Sequence, residues 1–214
     1  MRALRPLLIV AIALFFGHAA AAQSEEPLEP VASPSASAGP IGPVPIGEGA
    51  LEAGTYTTTV FDPNLTFTVG DGWHALFPDD VDEVALEGSG SFLGMTRPAT
   101  VVDPAPTGAI PAPDDVATWL VQHPSLVSTA PTTVEIAGQE GVTFDVGLQP
   151  GAAQLDIFAY PTGNLHLQPG TRTRFWVVPM EGPDLVILAI AEEASFEEAV
   201  VRAEQVVASL LITP

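Results

Sequence analysis

The stretch GTYTTTVFDPNLTFTVGDGWHAL, residues 54–76, decides how this chain folds. Leu65, Phe67 and Val69 alternate with Thr66 and Thr68, which is the period-2 pattern of a strand with one buried face. The run TYTTTVF before it is a second β-rich segment. Asp62-Pro63-Asn64 between the two has turn chemistry, because proline fixes φ while Asp and Asn tolerate turn backbone. Gly70-Asp71-Gly72 closes the strand, and Trp73, Ala75 and Phe77 open the next one on a common face. The stretch reads as the beginning of a sheet rather than as a place where chemistry is done.

The same punctuation continues outward. EVALEG and SFLGMT meet around Gly88-Ser89-Gly90, and ATVVD runs into the proline-rich loop PAPTGAIPAP. DDVATWLVQH is a compact helix: Asp114 is its expected N-cap, Val116, Trp119, Leu120 and His123 share a face, and Pro124 stops it. TTVEIAG and GVTFDVGL form a hairpin about Gln139-Glu140. LDIFAY, NLHL, TRFWVVPM and DLVILAIA follow as strands separated by turn residues. A last helix has Ser195 and Glu198 in capping-box spacing, with Phe196, Val200, Val207 and Leu210 along one side. Short turns and few helices favour antiparallel connections. The expected fold is therefore α+β: a single domain over residues 51–214, with a large, mainly antiparallel sheet covered by two helices.

Residues 1–22 carry the marks of an export signal: Arg2 and Arg5, the apolar PLLIVAIALFF, then the small residues of GHAAAA. The apolar run is about ten residues before Gly17, against the roughly 20 that a bilayer core requires. Cleavage near Ala22 is expected, with a membrane tether through an uncleaved leader as the alternative. Residues 23–50, rich in Pro, Ala, Ser and Gly and without an aromatic residue, read as a disordered linker. There is no cysteine, so neither disulfides nor a lipidated N-terminal cysteine is available.

The formal charge is −20, and beyond the leader 26 acids face only Arg97, Arg172, Arg174 and Arg202, with no lysine anywhere. Such a surface repels phosphate backbones and anionic head groups, which excludes nucleic acid as a partner, and it attracts cations and basic proteins.

The opening GTYTTTVFDPNLTFTVGDGW resembles that of secreted bacterial proteins of unknown function, largely from actinobacteria and their relatives. These share a Gly-Thr-Tyr-Thr start, then Leu-x-Phe-Thr-Val and Gly-Trp. DDVATWLVQHPSL and SFEEAVVRAEQVVASLLI are similar to their middle and final helices. The element order is also similar to the PsbP-like fold, in which helices pack on an antiparallel sheet. Neither resemblance implies catalytic residues.

Chemistry-bearing motifs are sparse. No Gly-x-Ser-x-Gly elbow, dinucleotide fingerprint or Walker sequence is present, and GSGS at 88–91 is a turn. His74, His123 and His166 are isolated in sequence, which disfavours zinc. His123 ends a helix, where a partly positive imidazole suits the dipole, and His166 alternates with Leu165 and Leu167 and so faces solvent. Asp79, Asp80, Asp82 and Glu83 offer oxygen ligands for Ca²⁺ but lack the EF-hand order. Trp176 follows Phe175 on a strand, so the two point to opposite faces, and Trp176 is the candidate exposed binding aromatic. Arg172 and Arg174 share its face, as a charge-balancing pair or an anion site. These features predict a secreted or cell-envelope-associated, non-catalytic binding domain: a monomer without cofactor or stable membrane insertion, whose partner is an envelope protein or a small ligand. The alternatives are a secreted hydrolase, with His74 or His166 beside a serine and a carboxylate, and a weak Ca²⁺-binding acidic protein.

Overall fold

The alternation at residues 65–69 folds as the pattern requires. In the computed structural model Leu65 and Phe67 are fully buried, Val69 nearly so, and Thr68 faces solvent. Residues 42–77, 80–104, 108–161 and 163–213 are described by this structure. The expected leader, most of the expected linker and Asp79 lie outside them.

The strands of the first half are Val44–Pro45 (β1), Gly49–Leu51 (β2), Gly54–Thr57 (β3), Asn64–Val69 (β4), Trp73–Phe77 (β5), Glu83–Gly88 (β6), Ser91–Thr96 (β7), Thr100–Val102 (β8) and Ala109–Pro111 (β9). The helix Val116–Gln122 (α1) follows. Next come Leu126–Ser128 (β10), Thr132–Ile136 (β11), Gln139–Leu148 (β12), Leu155–Tyr160 (β13), Gly163–Leu167 (β14), Thr171–Val178 (β15) and Leu185–Glu192 (β16). A 3-10 turn, Glu193–Ser195, leads to the helix Phe196–Ala208 (α2), and Leu211–Thr213 (β17) pairs back onto β4.

These strands form three sheets. The central one has nine strands in the order β10-β12-β15-β16-β7-β6-β5-β2, with β11 also on β12, and all its pairs are antiparallel. β1-β3-β4-β17 and β14-β13-β8-β9 are smaller four-stranded sheets. Successive residues of β15 and β16 serve different cores. Trp176, Val178, Leu185 and Ile187 pack with Leu65, Phe67 and the α2 residues Ala203, Val206 and Val207. Phe175, Val177, Val186 and Leu188 pack instead with Val116 and Leu120 of α1 and with Ile157 and Phe158 of β13. The central sheet is thus covered on both faces, the α+β architecture expected from the element order. Each fully buried side chain of this size contributes about 1.5–3 kcal/mol of transfer free energy.

Several local expectations shift. Among the described residues pairing begins at Val44, and Ile46 is buried, so ordered structure reaches into the 23–50 segment assigned to the linker. The short apolar stretch around Ile46 finds a core that composition alone does not reveal. Phe77 is 47% exposed, because the β5–β6 register slips between Ala75 and Phe77 and turns it off the face of Trp73 and Ala75. The β11–β12 turn is Ala137-Gly138, with φ of 52° and 76°, rather than Gln139-Glu140. A two-residue turn with both φ positive suits the strand twist of a hairpin. Asp115, not Asp114, caps α1. At α2 the expected capping box is absent: Ser195 Oγ donates to the Glu192 carbonyl at 3.3 Å, because the 3-10 turn already supplies the entry. Among the described residues no helix is long and apolar enough to cross a membrane.

Candidate binding cleft

α1 packs into the core that also holds Phe144 and Val146 of β12 and Phe175 and Val177 of β15, and its short length follows from its sequence. Asp115 starts it by accepting the Thr118 backbone N–H at 2.8 Å and the Thr118 hydroxyl at 2.7 Å. Pro124 ends it by holding His123 in extended backbone, ψ 125°. Val116, Ala117 and Leu120 fasten the helix to the sheet and leave Thr118 and Gln122 facing outward.

Beside the helix is a cleft of about 340 Å³. Its apolar lining comes from Ala117, Val121, Val142 and Val177, with Pro131 and Pro179 at its sides. Four carboxylates also line it: Asp114, Asp115, Glu140 and Asp184. Gly141 stands between Glu140 and Val142 because β12 and β15 approach so closely there. A Cβ at that position would lie 2.6 Å from the Val177 carbonyl oxygen.

The carboxylates differ in environment. Asp114 and Glu140 are exposed. The hydrogen bonds from Thr118, the backbone N–H first and then the hydroxyl, hold Asp115 below the usual carboxylate range, so it is ionised. Asp184 is only 8% exposed, and burial pushes its pKa up against the opposing backbone hydrogen bonds from Val116 and Met180. The cleft therefore joins an apolar interior to negative charge, one part of which is already desolvated. Its lining contains no histidine, serine or arginine among the described residues, and its one hydroxyl, that of Thr118, is held by Asp115.

The sequence-derived candidates lie elsewhere. Trp176 is 3% exposed, because its face of β15 is roofed by α2 and β4; a solvent-side aromatic is not what the structure provides. Arg172 and Arg174 do share a face, and both turn onto Asp145, whose side chain is 7% exposed. Arg174 donates from Nε at 2.6 Å and Nη2 at 2.9 Å, and Arg172 from Nη2 at 3.0 Å. Glu193 and Glu197 add to Arg172, and Glu204 to Arg174. The Arg172 guanidinium also sits 4.4 Å from the centre of the Phe196 ring. This is the charge-balancing arrangement and leaves no uncompensated cation for an anion.

The other two arginines are likewise turned inward. Arg97 donates to the carbonyls of Asp62, Glu181 and Pro183. Arg202 donates to the carbonyls of Gly88 and Ser89 and to the Ser91 hydroxyl, beneath the β6–β7 hairpin.

In the acidic loop, Asp80 is exposed and Asp82 and Glu83 are half-buried. Burial, with Asp80 and Asp82 adding to it, pushes the Glu83 carboxyl up to about 7. Thr96 ties this loop to β13: its hydroxyl donates to the Asp82 carbonyl at 2.7 Å and lies 2.8 Å from the Tyr160 hydroxyl. No group of three His, Asp or Glu able to hold a metal ion occurs among the described residues.

The histidines stand on separate elements. His74 is exposed on β5, opposite Ala50 and Glu87. His166 is half-buried opposite Asp156, its Nε2 3.2 Å from Gln168 Nε2. His123 is 4% exposed and accepts the Ser125 N–H at Nδ1. Burial pushes its pKa down, so it is a neutral core residue packed edge-on to Trp119 rather than a charged helix terminus. Sequence reading missed the cleft, since its acids come from three separate places, and Asp114 stood out only as a cap and Glu140 only as a turn residue.

No protein-family model matches this chain, and no curated protein matches it. Among solved structures it is similar to a protein of Bacteroides thetaiotaomicron VPI-5482, at 10% identity and a TM-score of 0.34, over 70% of this chain. The chain spans 45% of the length of that protein. It is similar to the cyanobacterial PsbP (CyanoP) of Synechocystis sp. PCC 6803, at 11% identity and a TM-score of 0.41, over 82% of this chain and 100% of that one. It is also similar to LpqN, involved in cell envelope biogenesis of Mycobacterium tuberculosis, at 15% identity and a TM-score of 0.36, over 79% and 92% of the two chains. A PsbP protein thus stands among the neighbours, while the Gly-Thr-Tyr-Thr resemblance rests on its motif alone.

Proposed function

We propose that this chain is an exported, non-catalytic binding module of the cell envelope or its exterior, and that it meets its partner in the cleft beside α1. The observation that carries this reading is the cleft itself: an apolar interior and four carboxylates, in a domain whose arginines are all turned to internal acceptors. Apolar lining supplies affinity and a few placed polar groups supply orientation, which is the usual composition of a binding site. Export is supported by the leader-like residues 1–22, and a non-catalytic role by histidines on three separate elements and a cleft hydroxyl already bound to Asp115.

The test uses the full exported chain as bait in its native envelope extract, beside a Glu140→Trp variant that fills the cleft from an exposed position. A partner held by the parent chain and lost by the variant supports the reading. A partner held equally by both, or turnover of an ester or peptide substrate by the purified chain, contradicts it.

A further inference from the structure

We infer that the occupant of this cleft is a polypeptide segment presenting an arginine side chain. The inference rests on the binding-module reading and names its ligand. The volume, about 340 Å³, is at the lower end of the range for ligand sites, enough for one long side chain and a little backbone. The lining is split in the way such a side chain is split. Ala117, Val121, Val142 and Val177 suit a methylene stem, and the exposed Asp114 and Glu140 suit a cationic head, while Asp115 and Asp184, already holding backbone N–H groups, add their negative charge.

Sign settles the class of partner. With 26 acids against four inward-turned arginines beyond the leader, an anionic ligand meets repulsion over the whole approach, whereas a basic segment is steered in. Guanidinium fits better than ammonium because Asp184 is nearly buried. A weakly hydrated, planar head tolerates that desolvation and can pair with more than one carboxylate at once. The domain already uses this pairing internally, where Arg174 grips Asp145 with two nitrogens. Arg97 is near enough to Asp184 to favour its charged form, but its guanidinium hydrogen bonds go to the carbonyls of Asp62, Glu181 and Pro183 and leave the cleft side to another head.

The experiment is fluorescence anisotropy with the full chain and a labelled eight-residue peptide bearing one central arginine, compared with twins carrying lysine or the neutral isostere citrulline. The arginine peptide is expected to bind, the lysine twin more weakly, and the citrulline twin about tenfold more weakly or worse, the loss of a charge-assisted contact. Asp114→Asn combined with Glu140→Gln should weaken the arginine peptide about five- to tenfold. Glu52→Gln combined with Asp71→Asn, exposed acids at the β2–β5 edge of the central sheet, should leave it unchanged. Equal binding of the citrulline twin, or equal weakening by both double variants, overturns the inference, the latter by reducing it to general attraction to an acidic surface. If the arginine peptide fails while an envelope partner is still lost on Glu140→Trp, the ligand assignment falls and the binding module stands. If the Glu140→Trp variant loses nothing either, both fall.

Discussion

Replacing Asp145 by asparagine keeps the shape of the side chain and removes the charge on which two arginines converge. The carboxylate is 93% removed from solvent and accepts three guanidinium hydrogen bonds between 2.6 and 3.0 Å. Breaking a buried pair by removing one partner costs about 3–5 kcal/mol, because the remaining charge is left unpaired. Here Arg172 and Arg174 keep 29% and 23% of their side-chain exposure, and Glu197 and Glu204 remain beside them, so the loss belongs at the lower end, about 3 kcal/mol. For a domain of this length each kcal/mol moves the midpoint by about 2–4 °C, which makes the expected drop in Tm about 6–12 °C. Calorimetry and urea unfolding of Asp145→Asn give that number directly. Adding Arg174→Met should then cost much less than it does in the parent chain, because the two groups share one interaction. A loss below about 1 kcal/mol for Asp145→Asn, or additivity of the two changes, would refute a buried, shared ion cluster tying β12 to β15.

The raised pKa of Glu83 makes the folded state prefer the protonated carboxyl, so its contribution is fully present below 4.5 and is lost as pH rises towards 7. The span is worth about 3 kcal/mol at most, and the difference in Tm between parent and Glu83→Gln, measured from pH 4 to 8, should change across that window; a constant difference refutes it. Gly141→Ala should destabilise by about 1–3 kcal/mol in urea unfolding, since the added methyl meets the Val177 carbonyl rather than a side chain that can move. Unchanged stability would mean that β12 and β15 separate there without cost.

The outline of the fold was legible because its strands alternate cleanly or run continuously apolar between turn residues. Leu65, Phe67 and Val69 announced a half-buried strand and became one. The runs FWVV and VILAIA carry the mark of strands buried on both faces, a pattern that outranks simple alternation. Given that weight, Trp176 reads as core. What a linear reading could not supply were register and distance. The slip between Ala75 and Phe77 comes from pairing with β6, and the order of Val44–Leu51 from cores built by residues far along the chain. The cleft was hidden for the same reason: Asp114 precedes α1, Glu140 lies on β12 and Asp184 precedes β16, and only the fold brings the three together. The arginines were visible as a rarity, but that all four point inward is a property of the folded state.

The most direct measurement is a ¹⁵N–¹H chemical-shift map of the labelled chain titrated with the arginine peptide. The largest, saturable shifts are expected at Asp114, Asp115, Thr118, Glu140, Val142 and Asp184, which line the cleft. Shifts centred on the β2–β5 edge, or small ones spread over every exposed acid without saturation, would contradict a partner site beside α1.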